Sequence, residues 1–241
     1  MALLAPPIAA SPGATIASTR HPSVTPRLDI LPPEQQRLWP DLAQLPSHFV
    51  LYGGTAIALR LGGRKSVDFD FFTSNPVSAD DLTRSLPLLS GAELLQVEPN
   101  TATFALYRDG EVKVSFFGGL SMGRVGVPER CNDNGTHVAS LLDLAAQKMK
   151  VILARAEAKD YLDIYALIKS GVTLPQALGA AKALYSEFNP VLSLKALTYY
   201  GEPTLELLPL EVRQFLTDQA ANTHSIQTVP RIATIIGTIN S

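Results

Sequence analysis

Cysteine is nearly missing from this chain of 241 residues. Cys131 stands alone, so no intramolecular disulfide and no Cys-based zinc cage can form. A reducing cytoplasm suits that usage best. Histidine is scarce as well: His21, His48, His137 and His224 are scattered without metal-ligand spacing, which argues against a histidine metal site. Neither sign of charge is in excess, with 20 Lys and Arg against 22 Asp and Glu, a net charge of -2 and a pI near 6.1. Such a chain has no global attraction for nucleic acid or an anionic membrane; a polyanion would have to meet a local basic patch. No apolar run approaches the ~18 residues of a membrane span. The opening MALLAPPIAASPGATIASTR is apolar but lacks a basic region, and Pro6, Pro7 and Pro12 interrupt it, so it does not read as an export signal. Internal repeats are not evident.

What is present is an ordinary folding composition, 46% hydrophobic and 17% charged, long enough for one large domain or two small ones. Residues 1–28 are rich in Pro, Ser, Ala and Thr without periodicity and read as a mobile tail. LPPEQQRLWPDLAQLP predicts a helix starting at Pro32 and Pro33, with Leu38, Trp39, Leu42 and Leu45 buried. HFVLYGG reads as a short buried strand, TAIALRLGG as a helix from Thr55 to the Gly62–Gly63 stop, and SVDFDFF as the next strand. SADDLTRSLPLL is a capped helix. TATFALYR and EVKVSFF alternate and are joined at Asp109–Gly110, a two-residue hairpin signal. Past Asn132 the spacing turns helical, in VASLLDLAAQKMKVILARAEAKDYLDIYALIKSG and then in LPQALGAAKALYSE, NPVLSLKALTYY and PLEVRQFLTDQAAN. The expectation is an α/β (α+β) protein: a mixed-sheet domain over 29–132 and an all-helical domain over 133–241 that completes the site.

The chemistry concentrates in VLYGGTAIALRLGGRKSVDFDFF. Residues i and i+2 of a strand share a face, so Asp68 and Asp70 point one way while Val67, Phe69 and Phe71 point into the core. Two carboxylates ~7 Å apart along a strand suit Mg²⁺, which takes hard oxygen ligands and usually completes its shell with phosphate and water. Gly53, Gly54 and the following helix N-terminus offer the other half of such a site, because glycine lets a phosphate approach free backbone amides. Thr55 can cap that helix or donate its hydroxyl to phosphate. Arg60, Arg64 and Lys65 flank the hairpin, either as contacts to RNA or triphosphate or as plain surface residues.

Farther on, Lys148, Arg155, Lys159 and Asp163 fall within an ~80° stripe if one helix runs unbroken through them. Such a stripe can clamp phosphates, or be a solvated face with pairs such as Lys159–Asp163 worth ~0.3 kcal/mol. Asp160 either pairs with Arg155 or caps a helix break.

The first of these segments resembles the leading motif of the nucleotidyltransferase superfamily, the DNA polymerase β-like fold. LAAQKMKVILARAEAKDYLDIYALI is similar to the lysine helix and K-D-x-x-D segment of the AbiEii/AbiGii (MenT-like) toxin family. The likeness spans roughly residues 29–215 and is strong at the two motifs. It implies a toxin of a type IV toxin–antitoxin or abortive-infection system that transfers a nucleotide, in characterised relatives sometimes onto tRNA. By that resemblance Gly53, Gly54, Thr55 and Ser66 hold the triphosphate, Asp68 and Asp70 the catalytic Mg²⁺, and Lys148 touches phosphate with Arg155 and Lys159 alongside. Asp163, with Asp160 as the alternative, is the later acid that completes the site. NTP is the implied substrate, with an RNA (tRNA) or protein acceptor and a cognate antitoxin as partners, and no membrane.

One departure stands out. Many nucleotidyltransferases carry a third carboxylate on the strand after the hairpin, as general base. In EVKVSFF that position is Ser115, and Glu111 lies ~13 Å away on the same face. Either Asp163 takes the base role, or Mg²⁺ makes a base dispensable, or nucleotide is bound without turnover. Kinase-like use of the same fold is a further alternative.

Overall fold

The computed structural model describes residues 22–237. Among them the two-residue periods resolve into eight strands: β1 (Ser23–Val24), β2 (Val50–Tyr52), β3 (Asp68–Phe72), β4 (Glu93–Glu98), β5 (Thr101–Tyr107), β6 (Glu111–Phe117), β7 (Glu129–Cys131) and β8 (His137–Val138). They form one mixed sheet in the order β1-β7-β8-β2-β3-β6-β5-β4. The helical periods give α1 (Pro33–Leu38), α2 (Gly53–Leu61), α3 (Ala79–Ser85), α4 (Leu141–Ala154), α5 (Ala158–Lys169), α6 (Leu174–Leu184), α7 (Pro190–Ala196) and α8 (Leu210–Ala221). The expected α/β class, a mixed sheet with flanking helices, is what the chain adopts. No helix among the described residues is long and apolar enough to cross a membrane.

Alternation sorts the central strands. Phe69, Phe71, Val112, Val114 and Phe116 are buried on one face. There Trp39 meets Phe69 at a centroid distance of 6.2 Å and Phe49 meets Phe116 edge-on at 5.2 Å. Aromatic pairs in these offset geometries add stability beyond their buried area. The opposite face carries Asp68, Asp70 and Ser115, across a cavity from α4.

Beyond α8 the chain runs back over the molecule. Gln227 N–H donates to Pro175 O at 3.1 Å, and Arg124 N–H donates to Ala233 O at 3.0 Å. Ile236, fully buried, donates its N–H to Ser74 Oγ at 3.1 Å.

Several details differ from the sequence reading. Of the expected 1–28 tail, residues 1–21 and the apolar opening lie outside the described residues. Residues 22–28 are ordered: Ser23 and Val24 pair in parallel with Arg130 and Cys131, and Arg27 N–H donates to Leu59 O. Helix α2 begins at Gly53, not Thr55. Helix α1 gives way at Trp39 to 3-10 turns through Gln44, as Pro40 withholds an N–H. Val67 precedes β3 and is 60% exposed rather than in the core. Tyr107 pairs with Glu111, so the β5–β6 loop has three residues, with Asp109 at φ 55°, instead of two. Strand β4 went unforeseen. The expected boundary at 132 falls between β7 and β8, which pair with each other, and β8 also pairs with β2, so the sheet continues past it. Finally, the long helix is two helices. Arg155 is extended (φ -152°, ψ 144°), ending α4 before α5 begins at Ala158.

Candidate active site

Strand β2 delivers the chain into the glycine turn. Gly53 has φ +73°, where an L side chain is strained, and a Cβ there would lie 2.7 Å from Asp70 Oδ2. Only glycine lets this backbone come so close to the carboxylate. A Cβ on Gly54 would run into Arg64 Nη2. The antiparallel register of β2 with β3 causes the approach by setting Tyr52 opposite Asp70. On its other side β3 runs parallel to β6, with Asp68 beside Lys113 and Asp70 beside Ser115.

A cavity of about 520 Å³ opens over this junction. Gly53, Gly54, Asp68 and Asp70 line it from the sheet side, and Arg64, Lys65, Ser66 and Val67 from the preceding loop. Gln147, Lys148 and Val151 of α4 face them, with Arg155 and Lys159 from the helix break and α5, and Phe117 at the end of β6. The site is thus two carboxylates among five cationic side chains.

Burial is the main reason that the Asp70 carboxyl is pushed up to about 6, and Asp68 adds to it; Lys148, Arg155 and Lys159 pull it down. Neither carboxylate of the pair has a hydrogen-bond donor or ion pair within reach among the described residues. The cations behind them are tightly held. Lys148 Nζ is 2.7 Å from Asp160 Oδ1 and 2.7 Å from Asp163 Oδ2. Arg64 grips Asp163 with two bonds, 2.8 and 2.6 Å. Arg155 Nε donates to Asp160 at 2.9 Å. Burial alone would raise the Asp160 carboxyl, but Lys148 and Arg155 hold it below its usual value. Lys159 pairs with Glu157 at 2.8 Å, not with Asp163 as the solvated-face alternative had it.

Of the residues singled out in the sequence, Gly53, Gly54, Ser66, Asp68, Asp70, Lys148, Arg155 and Lys159 share the cavity. Two do not. Thr55 is buried, its Oγ1 donating to the backbone O of Asp68, so it ties α2 to β3 and has no hydroxyl to offer phosphate. Asp163 is 1% exposed behind Arg64 and Lys148, its oxygens already accepting three charged bonds. In this arrangement it clamps cations and cannot reach a reacting hydroxyl as a base. Of the flanking basic residues, Arg64 and Lys65 line the cavity, whereas Arg60 is bound to Glu129. Sequence reasoning missed Gln147, whose Oε1 accepts the Gly53 N–H at 3.2 Å. It also missed Phe117, which strand alternation places on the Asp70–Ser115 face.

The donor set fits a divalent cation. Two unpaired carboxylates, one strongly desolvated, line the cavity together with a glycine turn, and the absence of a Cβ at Gly53 is what lets Asp70 sit against it. No group of three or more His, Cys, Asp or Glu side chains is placed for a metal among the described residues. The remaining ligands would come from phosphate and water, as Mg²⁺ sites commonly arrange.

Comparison with known proteins gives the family. The family model for the nucleotidyl transferase AbiEii toxin of type IV toxin–antitoxin systems matches residues 37–230. The chain belongs to that family. It is 33% identical over 162 residues to an uncharacterized protein of Aquifex aeolicus (strain VF5), spanning 66% of this chain and 77% of the relative. A crystal structure of an H. pylori protein provisionally assigned as a nucleotidyltransferase superposes with a TM-score of 0.47 and 16% identity, over 78% of this chain and 92% of that one.

Proposed function

We propose that the protein is a Mg²⁺-dependent nucleotidyltransferase toxin that moves a nucleoside monophosphate from an NTP onto a hydroxyl of an RNA acceptor of the tRNA class. One observation carries this reading: Asp68 and Asp70 face the glycine turn inside a cavity whose remaining charged groups are Arg64, Lys65, Lys148, Arg155 and Lys159. A triphosphate brings about four negative charges, and the five lining cations can meet them as charged donors, four of them held in place by Asp160, Asp163 and Glu157 behind the wall.

In the proposed reaction the acceptor oxygen bonds to the α-phosphorus, the bond to the bridging α–β oxygen breaks, and pyrophosphate leaves. Gly54 presents its backbone amide to the β/γ-phosphates, with Ser66 as a hydroxyl donor, while Gly53, its N–H held by Gln147 Oε1, gives the backbone room to turn. Lys148 and Arg155, held by Asp160, oppose charge that grows on the leaving group, and because they are preorganised they need not move to do so. Asp163 positions Arg64 and Lys148. Asp68 and Asp70 would hold a divalent cation, and the chemistry it would supply is neutralisation of phosphate charge and a lower pKa for the attacking hydroxyl. The hydroxyl proton passes to solvent, since Ser115 cannot accept it at neutral pH. A cognate antitoxin is the partner that type IV membership implies; a protein acceptor is the alternative substrate.

A second reading rests on Ser115. With serine beside Asp70 in place of a third acid, the chain would be a nucleotide- or partner-binding module without turnover. Incubation with α- and γ-labelled NTPs, Mg²⁺ and total tRNA separates the readings. Label passing from the α position supports nucleotidyl transfer, and Asp68→Ala should abolish it. Transfer from γ would mean kinase-like chemistry, and transfer from neither would favour the binding module.

A further inference from the structure

We propose that Phe117 is a stacking platform for a nucleobase, which makes it the binding-face determinant of the cavity beyond its phosphate and metal groups. The inference rests on the nucleotide reading of the site. It extends that reading to a residue with no part in charge neutralisation.

The cavity wall is charged or polar except at Val67, Val151 and Phe117, and Phe117 is its one aromatic ring. Its position is fixed by the sheet. Phe117 pairs with Phe72 and stands two residues beyond Ser115 on the same face, ~7 Å along the strand from the Asp70–Ser115 pair. That spacing is the reach of a ribose between a phosphate and its base. The ring is also held from behind: Phe72 meets it edge-on at 5.2 Å, and Tyr52 stacks on Phe72 at 4.7 Å. Thr73 N–H donates to Phe117 O at 2.9 Å, fixing the backbone. Phe117 nevertheless remains only half-buried, with one side open to the cavity.

A base stacked there would be recognised by its π-face, which every base has. Aromatic stacking is tolerant of base identity and favours the larger purine face.

The test uses thermal shift of the full chain with Mg²⁺ and three probes: inorganic tripolyphosphate, an NTP, and a short single-stranded RNA. Phe117→Leu should leave the tripolyphosphate shift intact. It should weaken binding of a base-bearing probe by roughly 10-fold or more, while Phe117→Trp restores it. Loss confined to the NTP arm makes the base that of the incoming nucleotide; loss confined to the RNA arm makes it the acceptor's terminal base. An unchanged response to both, equal loss with tripolyphosphate, or failure of Phe117→Trp to rescue would overturn the proposal. If the wild type responds to no probe, the nucleotide reading falls with it; if tripolyphosphate and NTP shift wild type and Phe117→Leu alike, only the stacking role falls.

Discussion

Asp70 is where function and stability oppose each other most directly. Its carboxyl is pushed from 3.8 to about 6 chiefly by burial, with Asp68 adding to the effect. The folded state therefore binds a proton more tightly than the unfolded chain, so this residue's contribution to stability falls as pH rises through the window from about 4 to 6. A displacement of roughly two units at about 1.4 kcal/mol each sets a ceiling near 3 kcal/mol at pH 8, and partial exposure lowers it to about 1–3 kcal/mol. Asp70→Asn keeps the shape and removes the charge. In EDTA at pH 8 the variant should be more stable than wild type by that amount, and the gap should shrink to about a third of it at pH 4.5 and close near pH 3. Urea unfolding of both proteins at these pH values measures it directly, since groups common to both cancel. Adding Mg²⁺ at pH 8 should then raise wild type by up to about 2.7 kcal/mol at a hundred times its Kd, and leave Asp70→Asn unmoved. An Asp70→Asn protein less stable than wild type at pH 8 in EDTA, or a gap independent of pH, would refute the argument.

Lys148→Met should destabilise by about 1–3 kcal/mol because it takes one charged partner from each of two buried acids, leaving Asp160 to Arg155 and Asp163 to Arg64; urea midpoints check this, and adding Asp160→Asn should recover part of the loss. Gly53→Ala must accept φ +73° and push Asp70 aside, so it should cost about 1–2 kcal/mol and lower Mg²⁺ affinity, read from Tm with and without the ion. Ser115→Asp places a third acid beside Asp70. It should lower Tm in EDTA yet tighten Mg²⁺ binding on the order of tenfold, because added ligand charge raises affinity.

Much of the site could be read before any coordinates, because strand alternation and the glycine turn are local. Asp68 and Asp70 share a face, Ser115 lies alongside Asp70, and Lys148 joins them. The failures are long-range. ARAEA contains neither Pro nor Gly, so nothing local announces the break at Arg155; the ion pairs that Lys148 and Arg155 make with Asp160 reward folding α5 back. Thr55 reads as a cap or phosphate donor until β3 supplies a carbonyl to its hydroxyl. Asp163 looked available as a base because its partner Arg64 is 99 residues away. Strand β4 escaped notice because all six of its residues are exposed, leaving no buried face to produce alternation.

The glycine turn meets Gln147 94 residues later, and every cation of the cavity except Arg64 and Lys65 comes from beyond Leu141. A fragment ending before that helix would keep both aspartates and the turn but only the two loop cations, leaving the acids bare of their counterweights. Loss of the chain from that helix onward therefore takes most of the counter-charges of the cavity with it, although both acids lie in the part that remains.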